Sequence, residues 1–354
     1  MNAAAKNYDG VNKYIRITDI DEASSTYTDK DIVSPDGVLT DNYIVNNRDI
    51  LLARTGASTG KSYLYKKSDG KLYYAGFLIR ANVTTHDPYF VFSQLHTHRY
   101  WRWVSIMSAR SGQPGINSQE YSSFPIYTTS IEEESKIAKL LSLLDERIAT
   151  QNKIIDKLQS LIKGIVDSTI SCKPKNSTIG YVCSVSEQIK AVPNLDDIIT
   201  VRLHGKGVCK SSVENLQLGA TQYYHRKAGQ LIYGKQNFHN GAIGIVPENL
   251  NNAITSKDIP SFDIKSSKCN PLYLLIQLQS PHYYKPAESL TTGTGSKRLK
   301  EETFLKMPIF LPDKERQDSI ATLTSSIMMK LNKADKTLNL LIKQKQYLLR
   351  QMFI

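Results

Sequence analysis

Residues 137–165 read IAKLLSLLDERIATQNKIIDKLQSLIKGI, and their apolar side chains recur at intervals of four and then three positions. This strict spacing places them along one stripe of a helix, the seam of a coiled coil. The stripe comprises Ile137, Leu141, Leu144, Ile148, Ile155, Leu158, Ile162 and Ile165, with the polar Gln151 among them. The stretch therefore predicts a long helix that packs against another helix.

A repeat at a distance of 183 residues predicts where that other helix lies. Pro125 in FPI and Pro308 in MPI are separated by this distance, and acidic residues suited to a helix start follow each proline. Adding 183 to each seam position gives a second seam in the same phase: Ile320, Thr324, Ile327, Leu331, Ala334, Leu338, Leu341, Lys345 and Leu348. The chain is therefore a duplication, and its two helices, each about 55 Å long, are predicted to pack on each other.

The segments outside the helices have the pattern of strands joined by turns. Alternating or β-branched runs such as YIRI (14–17), DILLAR (49–54) and AIGIV (242–246) are separated by Gly, Asn and Asp. We predict an α+β fold class, with two pseudo-repeated mixed α/β domains separated by two long helices. The predicted boundaries are 1–128 for the first domain, 129–170 for the central helix, 171–312 for the second domain and 313–354 for the C-terminal helix.

The charge of the chain favours an anionic partner. Lys and Arg number 45 against 33 Asp and Glu, a net charge of +12, and such cations neutralise phosphates. Basic and aromatic segments between the strands suit phosphate contacts and groove readout, although alternating Tyr and Lys can also make a plain solvated strand face. The candidate DNA-binding residues are Arg54, Lys61, Arg80 and Arg110 in the first half and Lys206, Lys210, Lys235, Lys297, Arg298 and Lys300 in the second.

Cysteine spacing and hydropathy exclude several other classes of protein. The four cysteines form no CxxC pair, so we expect no metal site and no disulfide framework, but reduced and buried thiols. No run of about 18 apolar residues is present, and the N-terminus lacks the pattern of a signal peptide. The sequence therefore predicts a soluble, cytoplasmic protein.

Two segments resemble catalytic motifs but miss a required residue. TGASTGKS (55–62) has Thr where a P-loop needs its first Gly. DPYF (87–90) lacks the second Pro of the amino-methyltransferase signature, and no Gly-rich loop offers a site for a methyl donor. The spacing indicates no Ser-His-Asp or Cys-His arrangement. We therefore predict a protein that is not an enzyme and has no catalytic residues.

The sequence resembles the specificity subunits of Type I restriction-modification systems over nearly the whole chain. The resemblance rests on two halves that each end in a heptad helix, on GQPGIN (112–117) before the first helix, and on DILLARTG (49–56) in the first half. It implies two target recognition domains that each read one part of a split DNA target. It also implies that the helices form an antiparallel coiled coil that sets the gap between the parts.

The same resemblance implies which molecules the chain works with. The partners are double-stranded DNA, methyltransferase (M) subunits and restriction/motor (R) subunits, with no membrane. S-adenosylmethionine and ATP with Mg²⁺ are expected in the partner subunits, and no cofactor is expected in this chain. The first recognition domain departs from its repeat, because fifteen residues precede Arg16 whereas about thirty separate Arg202 from the preceding helix.

Three alternatives remain open from the sequence. One is a recognition subunit of a related restriction system, whose partner fuses the methyltransferase and the nuclease. A second is a P-loop-like nucleotide-binding enzyme, which ATP should protect against heat. The third is a coiled-coil scaffold that does not bind DNA, and it predicts little dependence of duplex binding on salt.

Overall fold

The computed structural model describes residues 1–109, 112–211, 221–293 and 297–353. They divide into two compact units, one made of Met1–Ile155 with Ala334–Ile354 and the other of Asp156–Lys333. The division falls within both long helices, so each unit contains a part of each helix. In the described part of the chain, no helix combines the length and the hydropathy that a membrane span needs.

The first unit is organised around a fully buried strand, β4 (Asp49–Ala53), with the sequence DILLA. It pairs antiparallel with β5 (Ser62–Leu64) and β7 (Leu78–Asn82). Its side chains alternate between two clusters, with Ile50 and Leu52 in one and Leu51 and Ala53 in the other. This alternation is the period of a strand that is covered on both faces. The strands are β1 (Ala4–Asn7), β2 (Lys13–Ile15), β3 (Val33–Asp36), β4 (Asp49–Ala53), β5 (Ser62–Leu64), β6 (Leu72–Tyr74) and β7 (Leu78–Asn82).

Short capped helices follow these strands and lead into the first long helix. They are α1 (Pro88–Gln94), α2 (His98–Met107), α3 (Ser118–Ser122) and the long α4 (Ile131–Val166). Asp87 caps α1 by accepting hydrogen bonds from the backbone N–H groups of Tyr89 and Phe90, and Pro88 occupies the first helical turn. An acidic cap followed by proline satisfies N–H groups that have no partner inside the helix.

The second unit repeats this design with more strands. Its largest sheet has the order β15-β14-β17-β9, and the aromatic rings of Tyr233, Phe238, Phe262 and Phe304 pack in the core beneath it. The strands are β8 (Ser177–Thr178), β9 (Cys183–Val185), β10 (Lys190–Ala191), β11 (Ile199–Val201), β12 (Val208–Lys210), β13 (Tyr223–Arg226), β14 (Leu231–Tyr233), β15 (Ile243–Ile245), β16 (Ala253–Ser256), β17 (Ser261–Ile264) and β18 (Pro308–Ile309). The helices are α5 (Ile179–Val182), α6 (Pro271–Leu278), α7 (Pro281–Tyr284), α8 (Glu301–Lys306) and the long α9 (Lys314–Met352).

The duplication extends to individual hydrogen bonds. In the first unit the buried Gln94 side chain donates to the carbonyl of Tyr127 and accepts from its N–H, both at 2.8 Å. In the second unit Gln277 makes the same two bonds with Phe310, at 3.2 and 2.9 Å. Gln277 and Phe310 lie 183 residues beyond Gln94 and Tyr127, respectively. The repeat therefore preserves the contact that ties α1 or α6 to the segment leading into the long helix.

We expect Gln94→Leu to lower the free energy of unfolding by about 2–3 kcal/mol, because it removes both hydrogen bonds that the partly buried backbone of Tyr127 makes with the Gln94 side chain. Gln277→Leu is the matched control, since the carbonyl of Phe310 keeps a hydrogen bond from the Tyr273 hydroxyl at 2.9 Å. Its expected cost is about 1–2 kcal/mol. Urea denaturation measures both, and equal costs would contradict the assignment of two lost bonds to Gln94.

The long helices run antiparallel in the first unit. Leu141, early in α4, is buried with Leu349 and Phe353 at the end of α9, and Phe90 from α1 completes the cluster. Asp145 forms an ion pair with Lys345 at 2.6 Å, which explains how a lysine is accommodated at a seam position. A start that meets an end requires opposite helix directions.

The same antiparallel contact occurs in the second unit with the helix ends exchanged. Ile162 and Val166, late in α4, belong to the same buried cluster as Ile320 and Ala321, early in α9.

Near the middle of the helices, in the first unit, the Gln151 side chain donates to the carbonyl of Ala334 at 3.1 Å. These two residues are exactly one repeat apart, so a position meets its own copy, as in a two-fold contact.

The predicted fold class is confirmed, with mixed helix and strand and two paired long helices. Along the seam, Leu141, Leu144, Ile155, Ile320, Ile327 and Leu341 are buried, and Ile137, Ile148, Leu158, Leu331, Leu338 and Leu348 are half-buried. All four cysteines are free. Cys183 and Cys269 are buried as expected, but Cys209 is half-buried and Cys172 is exposed.

Candidate nucleic-acid interface

Arg54 lies immediately after the buried strand β4. Its backbone N–H donates to Phe77 at 3.1 Å, and its carbonyl accepts from Ile116 at 2.9 Å. The side chain is exposed, and no carboxylate of the described residues lies within ion-pair distance of its guanidinium. Phe77 beside it is 64% exposed. A cation on a rigid strand end next to an exposed ring is suited to contact a phosphate or a base edge.

Lys235 occupies the same place after strand β14 in the second unit. Its N–H donates to Asp258 at 2.9 Å and its carbonyl accepts from Leu299 at 2.8 Å, which matches the backbone pattern of Arg54. Its ammonium group, however, is bound by Glu301 at 2.9 Å, and its side chain is only 18% exposed. The two halves thus place a cation at one structural position, and within the described ranges only Lys235 has a carboxylate partner there.

Two more of the predicted DNA-binding residues are engaged within the first unit. Lys61 pairs with Glu22 at 3.1 Å and is 19% exposed. Arg80 donates to the carbonyl of Ile44 at 3.0 Å and lies 4.0 Å from the buried Asp49. To contact DNA, either side chain must first give up these partners. If Arg80 moved, the buried carboxylate of Asp49 would lose its ion pair.

The remaining predicted residues fall into two groups. Lys297 and Arg298 form ion pairs with Glu288 at 3.7 Å and Asp258 at 3.3 Å, both on the surface, where such pairs contribute about 0–1 kcal/mol and open readily. Lys206, Lys210 and Lys300 are exposed, with no carboxylate of the described residues within 4 Å. Arg110 lies outside the described residues.

Arg226, which the basic segment of the second half includes, does not belong to the surface. Its side chain is fully buried and donates to the hydroxyls of Thr255 at 2.7 Å and Ser261 at 3.1 Å and to the carbonyl of Ile259 at 3.1 Å. Burial lowers its pKa to about 10, so the guanidinium stays charged at neutral pH. Arg226 therefore holds strands together and cannot contact a phosphate.

The segment that resembles a P-loop forms a tight turn between two strands. The N–H of Gly60 donates to Ala53 at 3.1 Å and lies 3.1 Å from the Tyr121 hydroxyl, and the N–H groups of Thr59 and Lys61 donate to carbonyls within the turn. A P-loop needs these amides free for phosphate. The turn is followed by strand β5 rather than a helix, as the sequence predicts.

One serine–histidine contact exists that the spacing did not reveal. The Ser25 hydroxyl lies 3.0 Å from Nε2 of His96, whose Nδ1 lies 3.0 Å from the carbonyl of Phe92. Burial lowers the pKa of His96 to about 4, so the imidazole is a weak base at neutral pH. The contact joins the loop at Ser25 to α1 and lacks the basicity that nucleophile activation requires.

The architecture is that of a duplicated α+β chain with two long antiparallel helices. Each half has a basic residue after a buried strand, which is typical of a protein that contacts DNA at two places. Residues 1–160 match the family described as the Type I restriction modification DNA specificity domain. The specificity subunit of the Type I restriction enzyme MjaVIII from Methanocaldococcus jannaschii is 24% identical over 314 residues, which cover 80% of this chain and 73% of that relative.

A solved structure has the same fold over almost the whole length. The S subunit of a Type I restriction-modification system from M. genitalium superposes with a TM-score of 0.63 at 13% identity, covering 98% of this chain and 89% of that one. Residues 1–160 are therefore similar to a Type I DNA specificity domain, and the chain shares the fold of a Type I restriction-modification S subunit.

Sequence reasoning missed two features of the interface. Phe77 is exposed beside Arg54, and only the fold brings the two together. Arg202 and His204 lie in an exposed hairpin with Lys206 and Lys210. The charge pattern could have identified this hairpin, because residues 199–210 contain four basic or imidazole side chains and no Asp or Glu.

Proposed function

We propose that this chain reads DNA sequence for a Type I restriction-modification assembly and itself neither cuts nor methylates DNA. One observation carries the proposal: Arg54 and Lys235 follow equivalent buried strands and are held by the same two backbone hydrogen bonds. Duplicated basic positions suit a target in two parts, because each domain can bring a cation to one part, Arg54 directly and Lys235 after exchanging its ion pair with Glu301. We expect such an assembly, which acts on genomic DNA, to work in the cytoplasm.

The paired helices, in this proposal, set the gap between the two parts of the target. α4 and α9 contain 36 and 39 residues, and a heptad seam holds them in one register. Their antiparallel contact in both units supports a stiff spacer rather than a flexible linker.

The chemistry is assigned to partner subunits. S-adenosylmethionine would be bound by the methyltransferase subunits, and ATP with Mg²⁺ by the motor-nuclease subunits. Two observations support this division: the amides of the P-loop-like turn are engaged within the protein, and the half-buried His96 is a weak base at neutral pH. Neither site offers this chain a nucleotide or an activated nucleophile.

We further propose that the methyltransferase subunits dock on the outer faces of the long helices. Leu140 on α4 is 47% exposed and Leu323 on α9 is 51% exposed, although both belong to amphipathic helices whose seams are already covered. The two leucines are one repeat apart, so the duplication provides two equivalent apolar positions. Single exposed leucines are common on protein surfaces, so the support lies in the repetition: two equivalent positions suit two copies of one partner chain.

Leu140→Asp and Leu323→Asp should each remove one methyltransferase copy from the complex, and the double variant should remove both. A charge in a buried apolar contact costs about 2–4 kcal/mol or more, enough to weaken the contact at least thirtyfold. Native mass spectrometry of the co-expressed complex measures the stoichiometry. Thr150→Asp, at an exposed helix position, is the control. An intact complex from the double variant would contradict docking at these leucines.

The experiment that tests the function as a whole is methylation mapping. The chain is co-expressed with its cognate methyltransferase subunit in an unmodified host, and methylated adenines are located by single-molecule sequencing. A split motif with a fixed gap is the expected result. A partner that fuses methyltransferase and nuclease in one chain would instead identify the related restriction system. A stable complex without new methylation would mean that the first domain does not read DNA.

A further inference from the structure

The hairpin formed by β11 and β12 concentrates positive charge in the second unit. We call residues 199–210 (ITVRLHGKGVCK) the cationic hairpin. Arg202, His204, Lys206 and Lys210 are all exposed, and the segment contains no Asp or Glu. The Arg202 guanidinium donates a hydrogen bond to the thiol of Cys209 at 3.2 Å. Within the described ranges, no carboxylate lies within 4 Å of these cations.

Arg16 is the counterpart of Arg202 in the first unit, and carboxylates neutralise it. Its guanidinium binds Asp19 at 2.8 Å and Asp31 at 3.1 Å. The hydrogen bonds that Arg16 donates to Asp19, and then the one it donates to Asp31, raise the pKa of Arg16, so two acids hold it within the protein. The duplication thus kept the strand and its arginine, but among the described residues only Arg16 has carboxylate partners.

The cationic hairpin is rigid although its cations are exposed. Its turn is tied to a neighbouring turn by hydrogen bonds from His204 to Asn240 at 2.7 Å and from Gly205 to Gly241 at 2.9 Å. His204 has a φ of +59°, a conformation that a side chain adopts at a cost and that neighbouring structure must maintain. A Cβ on Gly241 would come within 3.0 Å of the Gly205 backbone. Such a preformed turn loses little entropy when it binds a ligand.

The net charge also differs between the two halves, and the second half is the more positive one. Residues 171–312 contain 17 Lys and Arg against 10 Asp and Glu, a net charge of +7. Residues 1–128 contain 14 against 12, a net charge of +2. Affinity for duplex DNA that does not depend on sequence comes from neutralised phosphates. The second half therefore has the larger capacity for it.

Resting on the proposed function, we infer that the cationic hairpin clamps the phosphate backbone of duplex DNA, and that the first half has no equivalent clamp. Arg202, Lys206 and Lys210 each contact a phosphate, and the second half supplies most of the affinity that is independent of sequence. The first half, whose free cation Arg54 lies beside Phe77, contributes mainly discrimination between sequences. The two copies of the domain have divided the work of binding.

A binding experiment with a random 30-base-pair duplex tests this without knowledge of the target. Dissociation constants of the full chain are measured by fluorescence anisotropy over a range of salt. The variant Arg202→Gln/Lys206→Gln/Lys210→Gln should reduce the slope of log K against log salt by roughly 2 to 3, since each lost phosphate contact reduces it by about 0.9. All three side chains are exposed, so the fold should survive, and circular dichroism checks that.

A charge-matched variant of the first half is the control. Lys66→Gln/Lys67→Gln/Lys71→Gln removes the same charge from three exposed lysines and should change the slope by less than about 1. Arg202→Lys/Lys206→Arg/Lys210→Arg keeps the charge and should keep the slope. Equal losses in both neutralised variants, or no loss in either, would overturn the clamp while leaving DNA binding intact. A native chain that binds duplex without salt dependence would instead overturn the proposed function itself.

Discussion

Removing one heptad from each long helix should shorten the gap in the recognised DNA by about 3 base pairs. Deleting residues 151–157 from α4 and 332–338 from α9 removes about 10.5 Å of helix at 1.5 Å per residue, and duplex DNA rises about 3.4 Å per base pair. The seam keeps its phase because seven residues are one full repeat. Pairs outside the deletions, such as Asp145 with Lys345, stay opposite each other.

The measurement is the methylation map of the host that carries the shortened chain with its methyltransferase subunit. Both half-sites should be unchanged in sequence and lie closer together. The control deletes 151–157 from α4 alone, which moves the two seams out of register and should abolish the complex rather than change the gap. Methylation at the original gap by the doubly shortened chain would show that the helices do not set the spacing.

A second large effect is expected from Leu141→Asp, which should unfold the first unit. Leu141 has no exposed surface and packs with Phe90, Leu349 and Phe353. Losing a buried leucine costs about 2–5 kcal/mol, and burying an unpaired carboxylate adds to that cost. The sum approaches the whole stability of a typical domain, about 5–15 kcal/mol.

Leu140→Asp is the matched control, one residue away on the same helix. Its side chain is 47% exposed, so the isolated chain should lose no more than about 0.5 kcal/mol. Urea denaturation of the isolated chains compares the two variants. Leu140→Asp should keep the native urea midpoint but lose a methyltransferase subunit. Leu141→Asp should lower the midpoint and also lose the subunit. Similar midpoints for the two variants would contradict the seam register.

Prediction from sequence succeeded where the determining pattern is local. The seam positions show in the spacing of apolar residues, and β4 and β15 begin and end within one residue of the runs that predicted them. Prediction failed for the ion pairs. The partner of Lys61 is Glu22 and that of Lys235 is Glu301, and no rule of spacing connects residues so far apart in the chain.

The interface shows the same division. Net charge and basic segments identified the kind of ligand, but the same composition could not distinguish the buried Arg226 from the exposed Arg202. Arg16 and Arg202 follow matching strands, yet the first is bound by Asp19 and Asp31 while the second is not. Which cations are free depends on which acids the fold brings within reach.

The sequence by itself determined the duplication, the long paired helices, the strand-rich halves and the basic character of the chain. These follow from periodicity and composition, which the order of residues along the chain specifies directly. Only the tertiary structure decided the antiparallel direction of the helices and the pairing of Lys61, Arg80 and Lys235. It alone left Arg54 and the cationic hairpin without a carboxylate partner among the residues that the structure describes. The physical reason is that charge pairing and burial depend on distances in space, and residues hundreds of positions apart can lie within 4 Å.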